Sequence, residues 1–206
     1  TPFGHVGEEA LASIMGHFEH NEQSIRILTV LTNEGQGMNL TDEVLDGILH
    51  HTGEGIPRTL EGQVVKIGDR IAYLCHDYDD ALRAGLLKAD DLPVLVKKVL
   101  GSTTSKMITA MVTDMINSSE NKSYICLSGE VAQAMDEFRQ FMFEKVYLCG
   151  ALKEERSKGK LVLEILFDYY VRHPEALPSD YLKWADDNLH RAVTDYTSGL
   201  TDTYAI

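Results

Sequence analysis

The sequence has few of the features that mark secreted, membrane-bound or zinc-clustered proteins. Its three cysteines, Cys75, Cys126 and Cys149, are odd in number and form no Cys-x-x-Cys pair, which predicts free, buried thiols in a reducing compartment. No stretch approaches the roughly 20 apolar residues of a membrane span. The first residues also lack the basic and then apolar pattern of a signal peptide. We therefore expect a cytoplasmic protein that has no membrane partner.

Positive charge is scarce as well. Lysine and arginine total 19 against 32 aspartates and glutamates, which gives a net charge of −13. Binding to nucleic acid in general needs a basic face, so this balance argues against a nucleic-acid partner. A single basic pocket for a phosphate is compatible with it. Hydrophobic residues make up 44% of the 206, which is enough for a folded core.

The pattern that is present is helical. Apolar residues recur at helical spacing, and neither an alternating run of useful length nor an Asn-Gly hairpin predicts a strand. We predict an all-α helical bundle in which residues 7–31 form two helices or a kinked one. Further helices are predicted over 42–51, 59–87, 91–100, 103–118, 128–144, 154–172 and 178–196. Since no linker separates them, residues 1–206 are predicted to form a single domain.

Two polar clusters near the start of the chain are candidate site groups. His5 and Glu8 are three residues apart, so they share one face of a helix, and a carboxylate beside an imidazole suits proton transfer. His20 lies in a polar run, residues 19–23, that interrupts an apolar pattern. Spacing alone leaves the alternative open that all three are solvated surface groups.

A third cluster lies on the long helix predicted over 59–87. Asp69, Tyr73 and Asp77 recur at every fourth residue and therefore form one ridge, with Lys66 and Arg70 on the same side. A carboxylate, a cation and a tyrosine in this order can hold a metal ion, a phosphate and a sugar hydroxyl. The alternative is a solvated acidic face with ordinary ion pairs.

Taken together, these clusters resemble one protein family. The matching stretches are TPFGHVGEEAL at 1–11, FEHNEQSIRIL at 18–28, LTDEVLDGILHHTG at 40–53, RTLEGQVVKIGDRIAYLCHDYDDALRAGLL at 58–87 and DYTSGLTDTYA at 195–205. In order and approximate spacing they resemble the bacterial dGTP triphosphohydrolase-like group of the HD superfamily across nearly the whole chain. The fold that this resemblance implies is an HD-domain helical bundle.

The resemblance also implies a divalent metal cofactor, either Mg, Mn or another transition metal. In the family, a first histidine, a His-Asp doublet and a distal aspartate hold the metal, and the distal aspartate matches Asp69. The other ligands normally precede the TPFGH stretch. We therefore expect a single HD-type domain that lacks its N-terminal portion, and we expect the chain as given to hold metal poorly.

The remaining family positions have counterparts in the chain. The resemblance implies that His5, Glu8 and His20 are catalytic, with His5 reaching the triphosphate and Glu8 steering a histidine that moves the proton. Arg70 matches a phosphate ligand, and Tyr73 and Asp77 match groups that contact the deoxyribose. Tyr196 and Asp202 lie in a family motif without an assigned contact.

The implied activity is hydrolysis of a deoxynucleoside triphosphate, dGTP first among the candidates, to a deoxynucleoside and inorganic triphosphate. The implied partners are a dNTP substrate, a nucleotide effector and further copies of the chain in a homo-oligomer. Two alternatives stay open: an HD phosphohydrolase that acts on nucleoside monophosphates or cyclic dinucleotides, and a non-catalytic, nucleotide-responsive oligomer. A bare helical interaction module would not need Asp69, Tyr73 and Asp77 in register with the TPFGH stretch.

Overall fold

The regular structure is helical throughout the described chain, which confirms the predicted fold class. The computed structural model describes the backbone of residues 1–206 and the side chains of 1–150 and 152–206, and no strand occurs in it. The α-helices are α1 (His5–Met15), α2 (His20–Arg26), α3 (Asp42–Leu49), α4 (Leu60–Arg83), α5 (Val94–Val99), α6 (Thr104–Ser119), α7 (Gly129–Met142), α8 (Lys153–Arg172), α9 (Ser179–Trp184), α10 (Leu189–Ser198) and α11 (Asp202–Ala205). Single π-helical turns continue α2 over Ile27–Leu31 and α7 over Phe143–Tyr147.

The helices form two compact units. The first unit combines Thr1–Leu49 with Lys153–Ile206, and the second consists of His50–Leu152. The expectation of a single domain over 1–206 stays a prediction.

The first unit is built around α8, against which α1 and α10 pack. At Gly7 the helices come so close that a β-carbon would lie 2.9 Å from Leu163 Cδ1 and 1.9 Å from the carbonyl oxygen of Pro2. Glycine is therefore required where α1 meets α8. One cluster of buried apolar residues in this unit consists of Leu11, Phe18, Phe167, Leu177, Ala185, Ala192 and Val193.

The second unit packs α4 against α6 and α7, and α5 against α7. Its long helix, α4, is capped by Thr59, whose hydroxyl accepts a hydrogen bond from the Gly62 backbone N–H at 3.1 Å. The rings of Tyr78 and Phe138 meet edge to face, with centroids 5.6 Å apart, in the centre of the core. The methionines Met107, Met111, Met135 and Met142 fill the space around them.

The single helix predicted over 178–196 is wrong. The chain forms α9 and α10 there, and Asp186 and Asp187 between them take left-handed backbone angles, with φ of 49° and 59°. The side chain of Asn188 then accepts a hydrogen bond from the Arg191 backbone N–H at 3.1 Å and starts α10. Aspartate and asparagine tolerate the left-handed region and cap helices well, so the Asp-Asp-Asn run interrupts the helix.

Candidate functional site

The structure brings His5, Glu8 and His20 together in the first unit. His5 and Glu8 lie in the first turn of α1, and His20 is the first residue of α2. Glu8 Oε1 accepts hydrogen bonds from the His20 backbone N–H at 2.8 Å and lies 2.9 Å from His20 Nδ1, and Oε2 lies 3.0 Å from the same nitrogen. The His5 ring meets the His20 ring edge to face, with centroids 6.5 Å apart. Both predicted histidines thus flank one carboxylate.

The electrostatics of this cluster favour an ionised Glu8. Burial opposes ionisation of Glu8, but the hydrogen bonds from the His20 side chain and backbone outweigh it, with a smaller contribution from the charges of His20 and His5. The pKa of Glu8 is therefore lowered from its ordinary value. A carboxylate held on Nδ1 fixes the tautomer of a histidine ring and stabilises its protonated form. This is the arrangement that a proton-transferring histidine needs.

The other predicted residues lie on α4 in the second unit. Asp69 is exposed, whereas Arg70, Tyr73 and Asp77 are half-buried. Because α4 is continuous over this stretch, Asp69, Tyr73 and Asp77 form the predicted ridge. Burial raises the pKa of Tyr73 against the opposing charges of Arg70 and Arg139, so its hydroxyl stays protonated. That both sets of residues line one cleft stays a prediction.

Sequence reasoning missed Tyr147, which contacts Asp77. The Tyr147 hydroxyl donates a hydrogen bond of 2.5 Å to Asp77 Oδ2. Burial, and then this bond, raise the pKa of Tyr147 far above its ordinary value. Tyr147 follows α7 in the π-helical turn 143–147, 70 residues after its partner. No local spacing could have indicated the contact, because it depends on how α4 and α7 pack.

Lys66 has a different role from the one its position on α4 suggested. Its ammonium is surrounded by four backbone carbonyl oxygens of the loop 50–55, at 2.8–3.2 Å, which occupy its donors. Arg70 is therefore the cation of this ridge that remains as a candidate phosphate ligand.

The described residues supply few donor groups for the predicted divalent metal ion. Asp69 is the one residue of the family ligand set that the resemblance places in this chain, and it is exposed. Among the residues that the structure describes, no group of three or more His, Cys, Asp or Glu side chains is arranged to hold a metal ion. These residues by themselves do not fit a divalent ion, which needs several oxygen or nitrogen ligands at once.

A buried ion-pair network in the first unit was also missed. The carboxylate of Asp195 is fully buried and accepts from Arg26 Nε at 2.8 and 2.9 Å and from Gln23 Nε2 at 3.0 Å. A second guanidinium, that of Arg191, lies 3.1 Å from Asp195 Oδ1. The network ties α2 to α10, so the start of the family stretch at 195–205 has a structural role here.

The two residues of that stretch that had no assigned contact now have one each. Asp202 Oδ1 accepts a hydrogen bond from the Phe3 backbone N–H at 2.8 Å. The ring of Tyr196 packs edge to face on those of Tyr170 and Tyr181, and its hydroxyl lies 3.4 Å from that of Tyr204. Asp202 thus holds the turn that leads into His5, and Tyr196 belongs to an aromatic cluster.

Two further observations concern membrane-spanning helices and the cysteines. In the part of the chain that the structure describes, no helix is long and apolar enough to cross a bilayer. All three cysteines are free, as predicted, but only Cys75 is buried, while Cys126 and Cys149 are partly exposed.

The chain is similar in sequence to several known proteins. Residues 125–206 match the family model described as a phosphohydrolase-associated domain. Over its full length the chain is 47% identical to a deoxyguanosinetriphosphate triphosphohydrolase-like protein of Caldanaerobacter subterraneus subsp. tengcongensis and covers 61% of it. It is 41% identical, over 98% of its length, to a protein of the same name from Clostridium perfringens, of which it covers 62%. A protein of that name from Cereibacter sphaeroides is 32% identical, and the chain covers 72% of it. The chain therefore spans about three fifths of the length of the first two relatives.

Proposed function

This chain belongs to the deoxyguanosinetriphosphate triphosphohydrolase-like family, and from that premise we propose that the whole protein is a metal-dependent dNTP triphosphohydrolase. The reaction adds water to a deoxynucleoside triphosphate and releases a deoxynucleoside and inorganic triphosphate. The observation that carries the proposal is the ridge on α4, where Asp69, Tyr73 and Asp77 occupy successive turns of one helix and Arg70 follows Asp69 directly. Along α4 a metal ligand and a phosphate ligand come first and two sugar-contacting groups follow. The α-phosphate and the sugar of the substrate follow one another in the same order.

Proton transfer is assigned to the histidine cluster of the first unit. When the bond between the α-phosphorus and the 5′-oxygen breaks, the leaving oxygen needs a proton, and the attacking water must lose one. His20, oriented by Glu8 at 2.9 Å, has the geometry of a group that carries this proton. His5, whose ring lies beside that of His20, is assigned to the triphosphate.

Selectivity for the sugar is assigned to Tyr73 and Asp77. The two residues are one turn apart on α4, so a sugar lying along the ridge would meet both. A tyrosine ring over the 2′-carbon leaves neither space nor a partner for an extra hydroxyl. Asp77 keeps an acceptor oxygen for the 3′-hydroxyl, because its bond to Tyr147 involves Oδ2.

The metal would polarise the α-phosphate when it is bound. Asp69 is the ligand that we assign to it in this chain. We propose that the remaining ligands belong to the part of the whole protein that this chain does not span, since the chain covers 61% of a relative to which it is 47% identical.

The test is turnover by the full-length protein of the four dNTPs and of GTP, with Mg²⁺ or Mn²⁺ added. Products are identified by ion-exchange chromatography, and we expect deoxynucleoside and triphosphate in equal amounts. Glu8→Gln should lower kcat by about 10²- to 10⁴-fold, because His20 loses the carboxylate that orients it and with it the contribution of an acid–base group. Glu9→Gln is the matched control, because the neighbouring Glu9 side chain is exposed and pairs with Arg156 at 2.9 Å.

Three other results would reject the proposal, and two of them point to the alternatives. Hydrolysis of monophosphates or cyclic dinucleotides alone would favour another HD phosphohydrolase. Nucleotide binding without turnover would favour a non-catalytic, nucleotide-responsive oligomer. Release of orthophosphate or pyrophosphate in place of triphosphate would show that the bond to the 5′-oxygen is not the one cleaved.

A further inference from the structure

The loop that follows α3 is wrapped around one ammonium group. Lys66 Nζ donates to the carbonyl oxygens of Gly53 and Gly55 at 2.8 Å each, of His50 at 3.1 Å and of Thr52 at 3.2 Å. All five residues belong to the second unit. We call residues 50–55 together with Lys66 Nζ the carbonyl cage.

The number of contacts shows that the cage resembles ion coordination more than ordinary hydrogen bonding. A lysine ammonium has three N–H donors, yet four oxygens lie within hydrogen-bond distance of Nζ. The fourth contact must therefore be shared or purely electrostatic. All four oxygens are neutral carbonyl dipoles, whereas protein sites for Ca²⁺ and Mg²⁺ rely on carboxylates. Convergent carbonyls are the ligands by which proteins replace the hydration shell of a potassium ion.

The path of the loop depends on its two glycines and on the ring of His50. Gly53 takes a left-handed backbone angle, with φ of 69°, that residues with side chains rarely adopt. At Gly55 a β-carbon would lie 2.3 Å from Cδ2 of the His50 ring, so that ring packs directly on the glycine. Four carbonyl dipoles that point at one another repel, and a positive charge between them is what makes this path stable.

We propose that residues 50–55 form a binding site for a monovalent cation, that the ammonium of Lys66 occupies it, and that a potassium or methylammonium ion replaces that ammonium when Lys66 is truncated. Lys66 is then a positioning residue for the loop that carries His50 and His51. This inference does not depend on the proposed function, because its test measures loop order and stability without a substrate.

The position of Lys66 on α4 attaches the loop 50–55 to that helix. Lys66 lies three residues before Asp69, so the cage fixes the loop 50–55 to the turn of α4 that precedes the proposed ligand ridge. Burial, and then the nearby charge of Arg70, lower the pKa of Lys66. Both influences disfavour the ammonium, whereas carbonyl dipoles that point at it favour it.

The experiment compares Lys66→Ala and Lys66→Met with the unchanged full-length protein. Lys66→Ala leaves space for a small cation, while Lys66→Met keeps most of the apolar stem and fills that space. Lys97→Ala is the matched control, since Lys97 Nζ donates to a single carbonyl, that of Asp90, at 2.8 Å. Each variant is measured in potassium, methylammonium or tetramethylammonium chloride at equal ionic strength, because tetramethylammonium has the same charge but no N–H and is too large for the cage.

Two quantities are measured, the hydrogen-exchange rates of amides in residues 52–55 and the thermal midpoint. We expect these amides in Lys66→Ala to exchange on the order of tenfold faster or more in tetramethylammonium, as for loss of hydrogen bonds to a charged group. Potassium or methylammonium should restore protection and raise the thermal midpoint in Lys66→Ala. In Lys66→Met, in Lys97→Ala and in the unchanged protein, the choice of cation should change neither quantity.

Several outcomes would overturn the inference. Unchanged exchange in Lys66→Ala would show that the loop does not need a cation. Equal recovery of protection in Lys66→Ala in all three salts would show that ionic strength, and not a cation that fits the cage, orders the loop. A failure of every cation to restore protection would show that only the lysine stem matters. If Lys66→Ala is too unstable for exchange measurements, the dependence of its thermal midpoint on the cation decides the question in the same way.

Discussion

The backbone N–H of Phe3 donates a hydrogen bond to Asp202 Oδ1 at 2.8 Å, across 199 residues of sequence. Phe3 and Gly4 both take left-handed backbone angles, with φ of 60° and 56°, immediately before His5 begins α1. The bond therefore holds an uncommon turn at the entrance to the histidine cluster. It also joins the first and last family stretches of the chain, 1–11 and 195–205.

This contact predicts that Asp202 affects activity more than stability. Asp202→Ala should lower kcat/KM of the full-length protein several-fold, because His5 loses its fixed position, while an exposed hydrogen bond contributes only about 0.5–1.5 kcal/mol to folding. Asp202→Asn keeps an acceptor oxygen and should retain most of the activity. Equal losses of activity in both variants, or a loss matched by a large fall in thermal midpoint, would contradict the prediction.

The pKa of Glu8 should depend on His20 with a predictable sign. We expect a ¹³C NMR titration of the Glu8 side chain to give a pKa below the ordinary value, and His20→Ala to raise it. In that variant burial still raises the pKa, and only the backbone N–H of residue 20 and the charge of His5 oppose it. A Glu8 pKa that is unchanged by His20→Ala would show that the pair is not coupled.

The lowered pKa of Glu8 also makes the stability of the fold depend on pH. Because the folded-state pKa of Glu8 is lowered, its ionised form stabilises the fold above the ordinary glutamate pKa, and this contribution is lost as the pH falls through the folded-state value. The difference in free energy of unfolding between the unchanged protein and Glu8→Gln should therefore shrink as the pH falls below about 4.3. Urea titrations at a series of pH values measure it, and a difference that grows on acidification would contradict the assignment.

Asp195 should be the most stability-critical carboxylate of the first unit. Its side chain is fully buried between the guanidinium groups of Arg26 and Arg191, at 2.7 and 3.1 Å. Asp195→Ala would leave buried positive charge uncompensated, which typically costs about 3–5 kcal/mol. Chemical denaturation measures this loss. Asp168→Ala is the control, because its pair with Arg172 is exposed and such pairs contribute little; similar losses in both variants would refute the assignment.

The features that could be predicted from the sequence are those that depend on interactions between residues close together in the chain. Helices α4, α6 and α8 follow from the local spacing of apolar residues, and the ridge of Asp69, Tyr73 and Asp77 needs only a continuous helix. The contacts of Tyr147 with Asp77 and of Asp195 with Arg26 join residues 70 and 169 positions apart, so they depend on packing.

The carbonyl cage and the break after α9 were missed for a different reason. Both are local, but they depend on backbone conformation: left-handed angles at Gly53 in the cage, and at Asp186 and Asp187 in the break. Glycine, aspartate and asparagine permit such angles without requiring them, so composition alone does not specify the path.

The last prediction concerns how Tyr73 and Asp77 distinguish sugars in the full-length protein. A ligand held by its α-phosphate near Asp69 and Arg70 would lay its sugar along the ridge, since Tyr73 is about one turn from Asp69 and Asp77 one turn further. An added 2′-hydroxyl would then face the Tyr73 ring without a hydrogen-bond partner. Leaving a polar group unpaired discriminates by about 1–3 kcal/mol.

Tyr73→Ala should therefore lower the ratio of kcat/KM for dGTP over GTP by about tenfold or more. Asp77→Asn should mainly lower activity on deoxynucleotides, because the amide accepts the 3′-hydroxyl less strongly than a carboxylate does. Tyr147→Phe removes the 2.5 Å bond to Asp77 and leaves that carboxylate free to rotate, so it should raise KM for dGTP with a smaller effect on the ratio.

The matched control for these variants is Tyr124→Ala, since Tyr124 is a tyrosine of the same unit with 52% of its surface exposed. The decisive measurement is the ratio itself, because loss of fold in any variant lowers both activities equally and leaves the ratio unchanged. If Tyr73→Ala keeps both the ratio and the activity on dGTP, and Asp77→Asn does the same, neither residue contacts the sugar. The α4 ridge would then be the solvated acidic face that spacing alone allowed.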